Sequence, residues 1–258
     1  MTVHDGVPGD DRGLLLGDGL FETLLAKDGE LIDLAAHLDR LAEGCATFGL
    51  PSPDRREAEG LMRRAVAGVA APRVAVRLTL TAGSGGRGLD RPGAPVARLL
   101  ASASVSILAE GPARLALSGV RRNEGSPASR LKTLAYLDNV LAREEARARG
   151  ADEAMMLNNR GEVACAAAAN LFWLRDGRLF TPALDCGVLA GVMRARVMGA
   201  SAALGVEVAE VAAGLEDLSG AQAVFLTNSL IGVRPVSSLD GVAYAPSALV
   251  ERLARLRA

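Results

Sequence analysis

Along the chain, apolar residues alternate with polar ones in some runs and recur every three to four positions in others. Gly19-Leu20-Phe21-Glu22-Thr23-Leu24-Leu25 is strand-like, Asp28-Gly29 is a turn signal, and Leu31 to Leu34 resumes the strand. Residues 14–35 therefore read as a hairpin. Leu38, Leu41, Cys45 and Phe48 recur near a 3.6 period and predict a helix over 35–48. A second helix is expected from about Asp54 to Val69, then strands over 73–81 and 98–107. This is an α+β unit.

Glu110-Gly111-Pro112 marks a boundary, which gives a smaller N-terminal α/β domain (1–111), a linker (112–122) and a larger C-terminal α/β domain (123–258). Beyond the boundary the pattern predicts a strand at 114–121 and a loop at 122–129. A helix is expected at about 131–149, along which Leu134, Leu137, Leu141 and Glu145 are spaced and which Gly150 stops. Strands at 153–158, 162–165, 169–175 and 178–181 precede a helix from Gly191 to Leu204. Strands at 206–212 and 223–227, a loop at 228–234 and a helix at about 246–257 complete the chain.

The 258 residues carry 29 Lys+Arg against 30 Asp+Glu and are half apolar, which excludes a coat for nucleic acid or an anionic membrane. No stretch is long and apolar enough to predict a membrane span. Asp5, Asp10, Asp11 and Arg12 stand where a signal peptide would be apolar, so a cytoplasmic protein is expected. Cys45, Cys165 and Cys186 form no CxxC pair, which points to a reducing compartment and no metal site. One detail changes the picture more. Only two lysines exist, Lys27 and Lys132. Arginine replaces lysine elsewhere but cannot form a Schiff base, so a surviving lysine is a candidate for amine chemistry. Lys27 sits at a hairpin turn, and Lys132 is placed at the first turn of the 131–149 helix.

Gly83-Ser84-Gly85-Gly86-Arg87-Gly88 fits G-x-G-x-x-G after a strand, but Leu89-Asp90-Arg91-Pro92-Gly93 follows, which cannot be the helix a dinucleotide site requires. A mobile loop presenting Arg87 to an anionic substrate, or a plain turn, remains. Gly187 to Arg194 runs into a helix whose N-terminus suits an anion. Thr227-Asn228-Ser229 after a strand, and Arg40 in His37-Leu38-Asp39-Arg40-Leu41, offer further phosphate donors.

The order of these segments resembles the class IV, fold-type IV pyridoxal-phosphate enzymes, which include branched-chain and D-amino-acid aminotransferases and 4-amino-4-deoxychorismate lyase. The likeness runs from Gly17-Asp18-Gly19-Leu20-Phe21-Glu22-Thr23 through His37-x-x-Arg40-Leu41, Arg130-Leu131-Lys132-Thr133, Asn170-Leu171-Phe172-Trp173, Thr181-Pro182 and Leu189-x-Gly191-x-x-Arg194 to Asn228-Ser229 and Val233-Arg234-Pro235-Val236. The resemblance implies a two-domain homodimer with pyridoxal 5'-phosphate between the domains. It assigns Lys132 the internal aldimine and proton shuttling. Arg40, the backbone at Val192 and Met193, and Asn228 and Ser229 would take the phosphate.

One position departs. The family usually places a glutamate, which pairs with the pyridine nitrogen, where this chain has Cys165. Glu162 is three residues earlier and should face the other side of a strand. A thiol that is not ionised is no counter-ion, which weakens the electron sink. Elimination with an aromatic product needs that sink less than transamination does. The leading expectation is therefore a lyase that releases pyruvate from 4-amino-4-deoxychorismate, leaving 4-aminobenzoate on the folate route. Lys132 or Thr23 would protonate the leaving group, and Arg87 would hold a substrate carboxylate. An aminotransferase acting on D-amino acids, branched-chain amino acids or amines is the alternative. A binding protein without catalysis has only Cys165 in its favour.

Overall fold

A computed structural model describes residues 6–255, which divide into two compact units. The first runs to Leu108 and takes in Leu131–Ala135; the second holds Ala109–Arg130 and the chain from Tyr136 onward.

The first unit opens with a short helix α1 (Arg12–Leu16), then strands β1 (Gly19–Lys27) and β2 (Glu30–Leu31), helices α2 (Leu34–Phe48) and α3 (Arg55–Ala67), and strands β3 (Arg73–Thr81) and β4 (Arg98–Val105). Among the described residues these strands form a four-stranded antiparallel sheet in the order β2-β1-β3-β4. Val74, Val76, Leu78 and Leu80 on β3 lie opposite Ala26, Leu24, Glu22 and Leu20 on β1. That face packs on Leu38, Leu41 and Cys45 of α2 and on Ala58, Leu61 and Met62 of α3. The register sends Glu22 to the helix side as the one charged member of an apolar row, and sends Phe21, Thr23, Arg77 and Thr79 to the other side.

The second unit contains β5 (Ala113–Leu117), α4 (Pro127–Arg130), α5 (Leu137–Ala148), β6 (Glu153–Leu157), β7 (Val163–Ala166), β8 (Asn170–Arg175), β9 (Arg178–Pro182), α6 (Val192–Ala203), β10 (Val208–Val211), α7 (Leu215–Ser219), β11 (Ala223–Asn228), β12 (Gly232–Leu239), β13 (Val242–Ala243) and α8 (Ala248–Ala254). Its sheet runs β10-β9-β8-β11-β12-β5-β6-β7, with β13 beside β12. Trp173, Val224, Leu226 and Val236 fill one core, and Phe172, Phe225, Met193 and Val197 another.

Four expectations need correction. The helix expected over 131–149 begins only at Leu137. Residues 131–135 are not helical there but lie along the edge of β1 that two-residue β2 leaves uncovered: Phe21 N–H donates to Lys132 O, Leu134 N–H to Gly19 O, and Leu20 bridges Thr133. The leucine spacing on α5 also misled, since Leu137 and Leu141 are exposed while Ala142 and Ala146 are buried. Finally, the loop expected to close the second unit gives way at Gly232 to an eight-residue strand, β12. The last helix, expected to reach 257, ends at Ala254, and residues 256–258 lie outside the described residues.

Candidate active site

The first unit gathers its chemistry around β1. The Lys132 amine lies 4.2 Å from the centre of the Phe21 ring, and the Arg77 guanidinium carbon lies 3.6 Å from the same centre. Lys132 is half-buried over its whole length, but its amine end is desolvated. Burial, then the positive charge of Arg40, push its pKa down to about 8; the Glu22 carboxylate opposes this and Arg77 adds to it. At pH 7 this leaves roughly a tenth of the amine as free base, about 300-fold more than an ordinary lysine has.

Arg40 reaches the sheet from α2. Its Nε donates to Glu22 Oε1 at 2.8 Å and a terminal nitrogen to Oε2 at 2.6 Å, while His37, one turn earlier, hydrogen-bonds Oε2 through Nδ1 at 2.7 Å. Glu22 and His37 are each 1% exposed. Burial works against the Glu22 charge, yet hydrogen bonds from His37 and Arg40 hold its carboxyl below the usual range. Thr23 stands opposite Arg77 on the face it shares with Phe21 and is half-buried. Arg87 is exposed and sits in the loop between β3 and β4. Sequence reasoning missed Glu22, His37 and Arg77. A carboxylate between Leu20 and Leu24 on the core face of a strand is the signal that a buried partner must exist. Arg77 carries no comparable mark, because an arginine on an alternating strand reads as solvated.

The second unit supplies the donors suited to an anion. Gly191 is the N-cap of α6 and, as a glycine, brings no capping side chain of its own. A Cβ at Gly191 would come within 2.0 Å of Asn170 Oδ1, so the backbone of the loop passes where only glycine fits. Asn170 Nδ2 in turn holds Leu189 O at 2.9 Å. Val192 and Met193 form the first turn of α6; Met193 is buried in the core, so only its backbone is open to a ligand there. The Asn228 carboxamide shapes the next loop: Oδ1 accepts from Leu230 and Ile231 N–H at 2.9 Å, and Nδ2 donates to Ala168 O. Ser229 is half-buried in that loop. Thr227 Oγ1 is fully buried and has no hydrogen-bond partner among the described residues. A buried hydroxyl beside a small polar loop and a helix start with a glycine N-cap make a donor set fitted to a phosphate. Each unit thus offers groups suited to a part of pyridoxal 5'-phosphate: the first an amine of lowered pKa and a guanidinium, the second anion-seeking backbone.

Cys165 lies on β7, paired with Met156 of β6, and packs with Ala164, Cys186 and Val188. Burial pushes its thiol up, against the positive charge of Arg122, so it is a neutral group at physiological pH. Arg122, also absent from the sequence reading, donates to Gly187 O, Asn139 Oδ1 and Ser129 O. Glu162 is engaged elsewhere, with Arg160 and with Asn158 Nδ2 at 2.6 Å.

These features suit an enzyme that works through a carbonyl cofactor. The family model described as amino-transferase class IV matches residues 19–239, and the chain belongs to that family of pyridoxal-phosphate enzymes. A Methanocaldococcus jannaschii protein bearing a branched-chain-amino-acid aminotransferase name is 34% identical over 90% of this chain and 82% of its own length. An aminodeoxychorismate lyase of Vibrio harveyi is 30% identical over 91% and 88%. The crystal structure of 4-amino-4-deoxychorismate lyase from Pseudomonas aeruginosa superposes with a TM-score of 0.90 at 31% identity, covering 99% of this chain and 97% of that one. The expected fold and cofactor are borne out. No helix among the described residues is long and apolar enough to cross a membrane.

Proposed function

We propose that this enzyme is a lyase that converts 4-amino-4-deoxychorismate to pyruvate and 4-aminobenzoate. The observation that carries the reading is the buried, neutral thiol of Cys165 at the position where the family resemblance calls for a carboxylate. When bound, pyridoxal phosphate supplies an electrophilic carbon and an electron-withdrawing ring. Without a counter-ion, that ring withdraws electrons less strongly, which disfavours aminotransfer more than an elimination ending in an aromatic ring. Lys132 Nζ, with a pKa of about 8, takes the proton from the carbon bearing nitrogen. The carbon–oxygen bond to the enolpyruvyl group then breaks, and Lys132 or the Thr23 hydroxyl returns a proton to the leaving oxygen. Arg40, Val192, Met193, Asn228 and Ser229 serve the phosphate, and Arg87 a substrate carboxylate. Aminotransfer is the second reading, favoured by the relative that shares 34% identity.

The holoenzyme is expected to release pyruvate and 4-aminobenzoate in equal amounts from 4-amino-4-deoxychorismate. No release above a Lys132→Ala control would end the lyase reading. Cys165→Glu, which restores a carboxylate, is expected to raise the rate of a D-alanine half-reaction about tenfold or more; an unchanged rate would remove the argument from the thiol.

A further inference from the structure

The glycine-rich segment between β3 and β4 has a path that neither the cofactor nor the core explains. Gly83, Gly85, Gly86 and Gly88 all have positive φ, and a Cβ at Gly86 would come within 2.2 Å of Asp90 O. The spacing that resembles a nucleotide fingerprint is therefore the signature of a loop folded back on itself. What it folds around is Arg12. This side chain, in a residue only 4% exposed, donates from Nε to Asp18 Oδ2 at 2.9 Å. Its terminal nitrogens donate to Asp90 O and Leu89 O at 2.9 Å each and to Gly88 O at 3.4 Å. Its backbone N–H donates to Gly83 O at 2.8 Å. One residue thus holds both ends of the segment.

Asp18 completes the clamp. Besides Arg12 it binds Arg91 through Nε at 2.9 Å and through a terminal nitrogen, and the other terminal nitrogen of Arg91 reaches Phe48 O. The hydrogen bond from Arg91, opposed by burial and reinforced by Arg12, keeps the Asp18 carboxyl below its ordinary range. Asp11 secures the base: it caps α1 through Gly13 N–H and accepts from Thr81 Oγ1 and Arg98 Nε. Between these ties sits Arg87, exposed and flanked by Gly86 and Gly88. Its place depends on the backbone that Arg12 holds. Only a guanidinium offers donors in a fork that can meet a carboxylate and three carbonyls together.

We propose that Arg12 is a specificity-determining positioning residue, which sets the shape of the 83–91 loop and so the place from which Arg87 meets a substrate carboxylate. The proposal rests on the reading of Arg87 given above. It is tested on the holoenzyme by calorimetric titration with chorismate, a dicarboxylate that lacks the amine and so is not turned over. Arg87→Met is expected to raise Kd at least tenfold, Arg12→Met to raise it comparably, and the double variant to bind no more weakly than Arg87→Met alone. Trypsin should cleave after Arg87 at least five times faster in Arg12→Met. If Arg87→Met binds chorismate as the parent does, the reading of Arg87 fails and the inference falls with it. If Arg87→Met weakens binding but Arg12→Met does not, or if the two losses simply add, that reading stands and the inference is overturned. Should Arg12→Met not fold, Arg91→Met loosens the same clamp from its more exposed side. It is then expected to raise Kd about threefold in the parent and not at all alongside Arg87→Met; additive losses overturn the inference here too.

Discussion

Lys132 was legible as a candidate because lysine is scarce in this chain, but its environment was not. That environment comes from groups far apart in sequence: Phe21, Glu22, Arg40 and Arg77. Burial and two guanidinium charges favour the neutral amine and one carboxylate opposes them, so the pKa moves down, to about 8. In the apoenzyme carrying Lys27→Arg, modification by trinitrobenzenesulfonate, followed at the Lys132-containing peptide apart from the α-amino group, should proceed at a rate that rises with pH to a midpoint near 8. Removing positive charge with Arg40→Met should move the midpoint up, and removing negative charge with Glu22→Gln should move it down. A parent midpoint above about 10, the range of an ordinary lysine, would show that the amine is solvated. Cys165 was equally legible as a departure, whereas its neutrality follows from a burial that only the packed sheet provides.

Whole elements were legible where one face is buried and the other wet. The alternation of Val74, Val76, Leu78 and Leu80, and the periodicity of Leu38, Leu41 and Cys45, predicted β3 and α2 closely. The pattern failed where packing broke the rule. On α5 small alanines face inward and the larger leucines face outward, so leucine spacing does not mark the buried side. On β12 the run Arg234-Pro235 argues against a strand, yet pairing with β5 begins only at Val236, beyond the proline that cannot donate. The start of α6 carries a sharper expectation. Gly191→Ala puts a methyl group against the Asn170 carboxamide and must displace the loop, Asn170 or both. Affinity for pyridoxal 5'-phosphate should fall at least tenfold, while affinity for pyridoxal, which lacks the phosphate, should change less than about threefold. An equal loss for both would mean that the α6 start does not serve the phosphate.

At the scale of the molecule, each unit has its own core, and residues 131–135 belong with the first although the chain on either side belongs with the second. The family resemblance carries the further expectation of a homodimer. Leu14, Leu15 and Leu16 in the first unit and Leu137, Val140 and Leu141 in the second are exposed apolar residues of the kind an interface covers. Sedimentation equilibrium at micromolar concentration should give twice 26.6 kDa, and a single species at 26.6 kDa would refute the dimer. By itself the sequence determined the α+β character, the class of cofactor and the identity of most residues proposed to meet it. These rest on local periodicity and on ordered motifs, which a linear string records in full. Only the tertiary structure decided that Lys132 lies extended beside β1, that Glu22, itself bonded by His37, holds Arg40, and that Arg12 clamps the glycine-rich loop. Each of these depends on strand register and burial, where a charge that the string presents as solvated finds its partner across tens of residues.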